Sequence, residues 1–491
     1  VKNLTSLTKG ILIVLLLGVV GFALHFGGVF DEVRPMRIGV VTWGGNLGGQ
    51  WYNAGFLANE ESRFLKEYGL SVEFVLNDDP EMSLKAWEAG EIDVHWWTVD
   101  VFNTVAAELG SYSPKCFMQT DWSRGGDAVV VVRGIKSIND LRGRTIAVAY
   151  KTPSHSFLFW LLESGGMTPD DVKIIQVASA IDAAAAFKAG QVDAAVVWSP
   201  DDQGCIDSVK GSRILTNTKE AKFIIADILF AKEEYIEAHR DELVNLVEGW
   251  LLGAATVNSS PAAKKEGVRI LADGLNSPED YCLGAIDNVR LTTLGDNSNF
   301  FNLKGNYTGV DGEDVYTKTG RLYQRYGIIS DFPDWRTVID PSILRDVISR
   351  GKLTGTMHAA EAITSFALPT AQQASAPALA TKRVTINFAS GSWTLDENAM
   401  HILDLEVADA LRFMEGNRVR VVGNTDNLGD YQMNMTLSQK RAEAVVDYLV
   451  SEYNFDRNRF SPIGKGPDNP VAGNETSDGR AKNRRTDIEL L

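Results

Sequence analysis

The sequence predicts an α/β protein assembled from several units, and three observations predict it. Short valine- and alanine-rich runs alternate with helical stretches from Met36 onward, the signature of sheets covered by helices on both faces. The run "GILIVLLLGVVGFALHFGGVF", Gly10 to Phe30, carries no Asp, Glu, Lys or Arg. Periodicity disappears across Ser365 to Lys382, which is rich in Ala, Pro, Ser and Gln, and a compact pattern resumes from Arg383 to Leu491. A chain of 491 residues is also too long for one ordinary core.

The elements follow in order. Gly10 to Phe30 has about the ~20 apolar residues that span a bilayer. Lys2 and Lys9 precede it and Asp31 and Glu32 follow, so the positive-inside tendency places the N-terminus in the cytoplasm. A cleaved signal peptide is the competing reading; the length of the run and the lack of a small-x-small cleavage site favour an uncleaved anchor at 10–30. "MRIGVV", "GLSVEFVL", "DAVVVV", "RTIAVAY", "VKIIQV" and "VDAAVVW" then read as buried strands, expected in parallel sheets. Helical patterns dominate from Lys232 to about Arg350. The α/β unit is expected over 36–352, a linker over 365–382, and a last unit over 383–491.

Net charge is −16, from 48 basic and 64 acidic side chains. A nucleic-acid partner would need a basic field, so that class is excluded. Cys116, Cys205 and Cys282 are too few and too scattered for a disulfide framework or a zinc site; inert buried thiols are expected, with one bridge as the alternative. No cofactor is implied, and no nucleophile–base or metal-ligand constellation points to an enzyme.

In the middle unit, a strand at Thr145 to Ala149 runs into the polar turn Thr152 to His155, which opens an amphipathic helix. Its unpaired amides and partial positive charge suit a carboxylate, sulfonate or phosphate. "SINDLRGRTIAV" and "AFKAGQVDAAVVW" resemble the periplasmic solute-binding proteins that serve ABC importers for sulfonates, taurine, nitrate and thiamine precursors. The resemblance covers roughly Met36 to Arg350. It implies a two-lobed periplasmic-binding-protein fold, crossover strands, and a ligand held between the lobes. The cysteine-rich signature of the thiamine-pyrimidine synthases that share this fold is absent. Ligands of such folds meet loops at the carboxyl ends of strands. That rule selects Thr42, Trp43, Gly44 and Gly45, then Trp96 and Trp97, then Asp121 and Trp122, then Ser154, His155 and Trp198, with Asp127 and Asp227 as further candidates. The helix start at Ser154 favours an anion. The tryptophans beside Asp121 favour a cation. A small anionic or zwitterionic solute is the expectation.

In the last unit, "GNTDNLGDYQMNMTLSQKRAEAV" and "GKGPDNPVAGNETSDGRAKNRRTDIEL" strongly resemble the OmpA-like peptidoglycan-binding domain, a small α+β fold. The resemblance covers nearly all of Arg383 to Leu491. It implies binding of the diaminopimelate of the wall's stem peptide, with the acid falling on Asp426 and the base on Arg441. Thr425, Asn427, Asn434, Leu437, Ser438 and Arg484 match the surrounding pattern, as does Asn483. The family's histidine before Thr-Asp is Asn424 here. A carboxylate can take the ammonium of diaminopimelate, and a guanidinium its carboxylate, by two-pronged hydrogen bonding. Lys440 is expected on another helix face.

Together these features predict a single-pass inner-membrane protein of the bacterial envelope, with most of the chain in the periplasm. The expected partners are a small-molecule solute, peptidoglycan, the membrane and an ABC transporter permease. The alternative is a membrane-to-wall tether whose middle unit binds a protein. A motor role is disfavoured, because the apolar run holds no acid for proton flow.

Overall fold

The computed structural model describes residues 34–491 apart from 363, 387 and 390. The expected membrane span at 10–30 lies outside the described residues. Among the described residues no helix is long and apolar enough to cross a membrane.

The first lobe opens with β1 (Met36–Val40), β2 (Val72–Leu76), β3 (Val94–Thr98) and the long β4 (Pro114–Ser123). The chain then crosses through Arg124, Gly125 and Gly126 into the second lobe, built on β5 (Asp127–Val131), β6 (Thr145–Ala149), β7 (Lys173–Val177), β8 (Ala194–Trp198) and β9 (Arg213–Asn217). It returns through β10 (Ala226–Lys232) and β11 (Val289–Leu291). The first sheet has the order β11-β4-β10-β3-β1-β2, the second β7-β6-β8-β5-β9. Every residue of β5 and the first four of β8 are buried. That explains why these strands read as unbroken Val and Ala runs rather than alternating ones.

The sheets are mixed, which corrects the expectation of parallel ones. β10 runs antiparallel to both β3 and β4, and β5 runs antiparallel to β8 and β9. These are the strands that enter each lobe from the other, so they arrive against the direction of the βαβ crossovers. The crossing turn is tight: Gly125 has φ +120°, a conformation side chains rarely adopt.

The last unit is a four-stranded sheet in the order β12-β15-β13-β14, with β12 (Ala380–Val384), β13 (Val419–Asn424), β14 (Phe460–Gly466) and β15 (Thr486–Leu490). Its long helix, Tyr431–Tyr453, starts where the Asp430 side chain accepts from the Met433 amide at 2.9 Å. It stops at Asn454, which adopts the left-handed conformation. Gly423 and Gly464 let this helix lie directly on the sheet; a Cβ on Gly423 would stand 2.2 Å from the Ser438 carbonyl oxygen.

The segment 365–382, expected as a linker, is fastened at both ends. The Phe366 amide donates to Asp456 at 2.7 Å. A short helix, Ala371–Ala374, is capped by Thr370, and the sheet already begins at Ala380. The last unit docks on the second lobe: the Ile138 amide donates to the Leu379 carbonyl at 2.7 Å, and Trp160 meets Phe413 edge-on at 5.9 Å. Arg412 reaches helix Gly312–Arg325 through Asp314 at 2.6 Å. Cys116, Cys205 and Cys282 are buried free thiols.

Candidate functional site

The strand ends of the two lobes converge on a cavity of about 30 Å³. Val41, Asp78, His95, Trp96, Trp97 and Thr98 line it from the first lobe, and Lys151, Thr152, Pro153 and Trp198 from the second. Of the sequence candidates, Trp96, Trp97 and Trp198 stand here. Among the described residues, the Nε1 atoms of Trp97 and Trp198 have no hydrogen-bond partner, and neither does the fully buried Ser154 Oγ. Ser154 sits in the first turn of helix Pro153–Ser164, next to the lining residue Pro153.

Behind Trp96, outside the cavity lining, lies a group of buried carboxyls. Register places Asp227 of β10 between Asp121 of β4 and Thr98 of β3. Trp96 Nε1 donates to Asp227 Oδ2 at 2.7 Å, and Trp43 Nε1 to Asp121 Oδ1 at 3.4 Å. Asp121 and Asp227 are register partners on β4 and β10, so their side chains stand on one face of the sheet. Burial, then the neighbouring Asp121, holds Asp227 well above the usual carboxylate range. Burial raises Asp127 to about 7, with Asp100, Asp121 and Asp202 adding to it. Asp100 is likewise raised to about 7 by burial.

Four of the selected residues hold other positions. Trp43 is buried with its ring against Gly126, where a Cβ would meet Trp43 Cη2 at 2.0 Å. Gly44 packs on the backbone of Ala285, which a Cβ would approach to 2.6 Å. Trp122 points to the opposite face of the sheet from its neighbour Asp121, as strand alternation requires, and packs on Phe223 and Phe300 at 5.2 and 5.9 Å. His155 is core: its ring lies 4.3 Å from Phe159 and 5.5 Å from Tyr323, and burial lowers its pKa to about 4. Asp78 and Lys151 were missed. Both follow strand ends, so the rule that selected Trp43 selects them too; neither stands in a conspicuous motif. Asp78 accepts from the Thr42 amide and hydroxyl, both at 2.7 Å.

The second site is an open groove of about 820 Å³ at the start of helix Tyr431–Tyr453. Thr425, Asp426, Asn434, Leu437, Arg441 and Arg484 line it, joined by Phe388, Trp393 and Lys440. Asp426 Oδ2 is paired with Arg484 Nη1 at 2.7 Å, and its Oδ1 accepts from the Leu428 amide at 3.1 Å. Arg441 Nε donates to the Ser392 carbonyl at 3.0 Å, and its guanidinium lies 4.7 Å over the Phe388 ring. Among the described residues no carboxylate lies within ion-pair distance of Arg441. Burial, then Arg484, lowers its pKa, with Asp426 opposing.

Several expectations change here. Lys440 is in the groove, its Nζ 3.9 Å over the ring of Trp393, which lines the same wide mouth. Ser438 is fully buried and supports the framework: its Oγ donates to the Met435 carbonyl and accepts from the Gly466 amide, both at 2.9 Å. Asn427 is exposed outside the lining. Asn434 closes the loop by donating to the Leu428 carbonyl at 2.9 Å. Asn424 is buried and donates to Asp487 at 3.1 Å, so it faces the sheet.

Residues 387–484 match the OmpA family, and residues 50–264 match the NMT1/THI5 like family. The chain is 40% identical over 129 residues to Outer membrane protein A of Bordetella avium, covering 25% of this chain and 66% of that protein. It is 40% identical over 84 residues to Outer membrane porin F of Pseudomonas aeruginosa, covering 17% and 24%. Over 82 residues it is 44% identical to the Peptidoglycan-binding protein ArfA of Mycobacterium tuberculosis, covering 17% and 25%. The chain thus spans less than two thirds of each of these relatives. Among solved structures, the periplasmic aliphatic sulphonate binding protein SsuA from Escherichia coli superposes with a TM-score of 0.50 at 18% identity, covering 63% of this chain and 99% of that one. The periplasmic nitrate-binding protein NrtA from Synechocystis PCC 6803 does so with a TM-score of 0.51 at 12% identity, covering 67% and 91%. At such identities the likeness establishes the fold of the two lobes and nothing about their ligand. The chain therefore joins an NMT1/THI5-like domain, with the two-lobed fold seen in SsuA and NrtA, to a C-terminal OmpA-like domain.

Proposed function

We propose that this protein is an envelope tether that carries a solute-binding domain. The C-terminal domain grips peptidoglycan through the diaminopimelate of the stem peptide, and the two lobes close on a small organic solute in the periplasm. The observation that carries the reading is Arg441: a buried guanidinium, held by backbone carbonyls and an aromatic ring, with no carboxylate within ion-pair distance among the described residues, in the same groove as Asp426. A diaminopimelate carboxylate supplies the missing anion, and its ammonium finds Asp426. Because Arg484 already occupies Asp426 Oδ2, the ammonium approaches a carboxylate that is oriented in advance, with Arg484 swinging toward solvent or toward a second carboxylate of the peptide.

Residues 10–30 serve in this reading as the inner-membrane anchor, with the remainder in the periplasm. The solute-binding domain then stays between membrane and wall, able to deliver solute to a permease. Sedimentation of the full chain with purified peptidoglycan tests the wall-binding half: a chain that stays in the supernatant sinks it. N-terminal sequencing of membrane-extracted protein tests the anchor: a mature chain that begins beyond residue 30 and needs no detergent rules it out.

A further inference from the structure

We propose that the interlobe cleft selects its solute by a positively charged nitrogen, seated among Trp96, Trp97 and Trp198, with Asp227 held behind the Trp96 indole and Asp121 beside Asp227. This rests on the reading of the two lobes as a solute-binding domain and adds the chemical class of the solute.

Four observations support the assignment. First, the cleft is walled by indoles: Trp96, Trp97 and Trp198 all line the cavity, and aromatic faces attract ammonium groups most strongly where water is excluded. Second, the acids have no cation. Asp100, Asp121 and Asp227 are fully buried and Asp127 nearly so, and among the described residues none makes an ion pair. Two neighbouring carboxyls in a dry site strongly disfavour the doubly ionised state. A cation brought by the solute relieves this. Third, Trp97 Nε1 and Asp100 Oδ1 are buried without partners, although buried polar groups are normally satisfied. Trp97 lines the cavity itself, and Asp100 opens the helix that follows the lining residue Thr98.

Fourth, the cleft has little to offer a lone anion. Lys151 is the one cationic side chain in its lining, and its Nζ is tied to Glu108 at 2.6 Å. His95 is neutral near pH 7, because burial lowers its pKa to about 4. Arg124, in the crossing turn, acts on Asp121 only at a distance, its ion pair being with Glu361 at 2.7 Å. A sulfonate or nitrate would face a net acidic site with only the start of helix Pro153–Ser164 in its favour. That helix start suits instead the far, anionic end of a zwitterion. The cavity of about 30 Å³ holds roughly one water molecule. Entry of the solute therefore requires the lobes to part about the turn at Gly125.

The test uses the full chain and four probes: tetramethylammonium chloride, methylammonium chloride, sodium methanesulfonate and sodium nitrate. Thermal melts and tryptophan fluorescence are followed from micromolar to millimolar probe. An ammonium probe should raise the melting temperature and perturb the fluorescence, and Asp121→Asn and Trp97→Phe should each weaken its binding about tenfold or more. If methanesulfonate or nitrate binds and neither ammonium probe does, the charge assignment is overturned while the solute-binding reading stands. Silence toward all four overturns both. If Asp121→Asn does not fold, the wild-type panel still decides between these outcomes.

Discussion

Under the proposed function, Arg441→Ala should separate peptidoglycan binding from folding. The side chain is 8% exposed. Its folded-state partners are the Ser392 carbonyl at 3.0 Å, a long contact of 3.5 Å to the Ala389 carbonyl, and the Phe388 ring. Such contacts contribute about 1–2 kcal/mol in total, and removing the guanidinium also removes its desolvation cost, which opposes folding. The net loss of stability should therefore be about 1 kcal/mol or less. In the complex the same change leaves the diaminopimelate carboxylate partly dry and unpaired, which typically costs ~2–5 kcal/mol. That is a loss of roughly 30-fold or more in affinity. The assay is co-sedimentation across a peptidoglycan titration, with a denaturant melt on the same preparation. Lys440 cannot serve as the control, since it shares the groove; Arg457, at the far end of the helix and paired with Asp447 at 3.1 Å, can. Binding by Arg441→Ala within about threefold of wild type, less than 1 kcal/mol, with Arg457→Ala also normal, would refute the idea that the unpaired guanidinium is the carboxylate receptor.

The remaining predictions concern the lobes and their junction with the last unit. Asp127 has a folded pKa of about 7 against an ordinary value of 3.8, so the folded state binds the extra proton between those values and its penalty on folding grows as pH rises through that window. Asp127→Asn should therefore stabilise the chain, by on the order of 1 kcal/mol near pH 5 and 2–4 near pH 8; a stabilisation that shrinks with rising pH contradicts the burial argument. Gly126→Ala drives a methyl to 2.0 Å from Trp43 and should destabilise the protein by about 1–3 kcal/mol in urea melts, whereas a change within about 0.5 kcal/mol would mean the crossing turn yields freely. Arg412→Ala removes the bonds to Asp314 and to the Gly309 carbonyl, at 2.6 and 2.8 Å. It should speed proteolytic cleavage within 365–379 while leaving peptidoglycan binding intact; unchanged cleavage would show that the Leu379 and Phe413 contacts hold the junction alone.

Local chemistry determined much of this protein in advance. The Val and Ala runs at Asp127–Val131 and Ala194–Trp198 are strands because residues buried on both faces leave no room for alternation. The turn Gly423 to Asn427 and the helix after it follow from glycines that admit close packing and from Asp430 as a cap. That Asp426 and Arg441 share one groove was legible because they sit in one continuous stretch of sequence. Partnership was not legible. Which side chain satisfies Asp426 depends on Arg484, brought back by β15, and whether Lys440 faces the groove depends on how the helix lies on the sheet. The same limit applied to the cleft. The rule of strand ends found Trp96, Trp97 and Trp198, but strand alternation sent Trp122 to the far face of the sheet, and packing drew His155 into the core. The convergence of Asp100, Asp121, Asp127 and Asp227 was decided only by the two crossings between lobes. Those crossings turn β5 and β10 antiparallel and bring acids more than 100 positions apart into one dry site. Sequence spacing carries propensity and local capping; charge neighbourhoods are set by which strands pair, and that is a property of the folded chain.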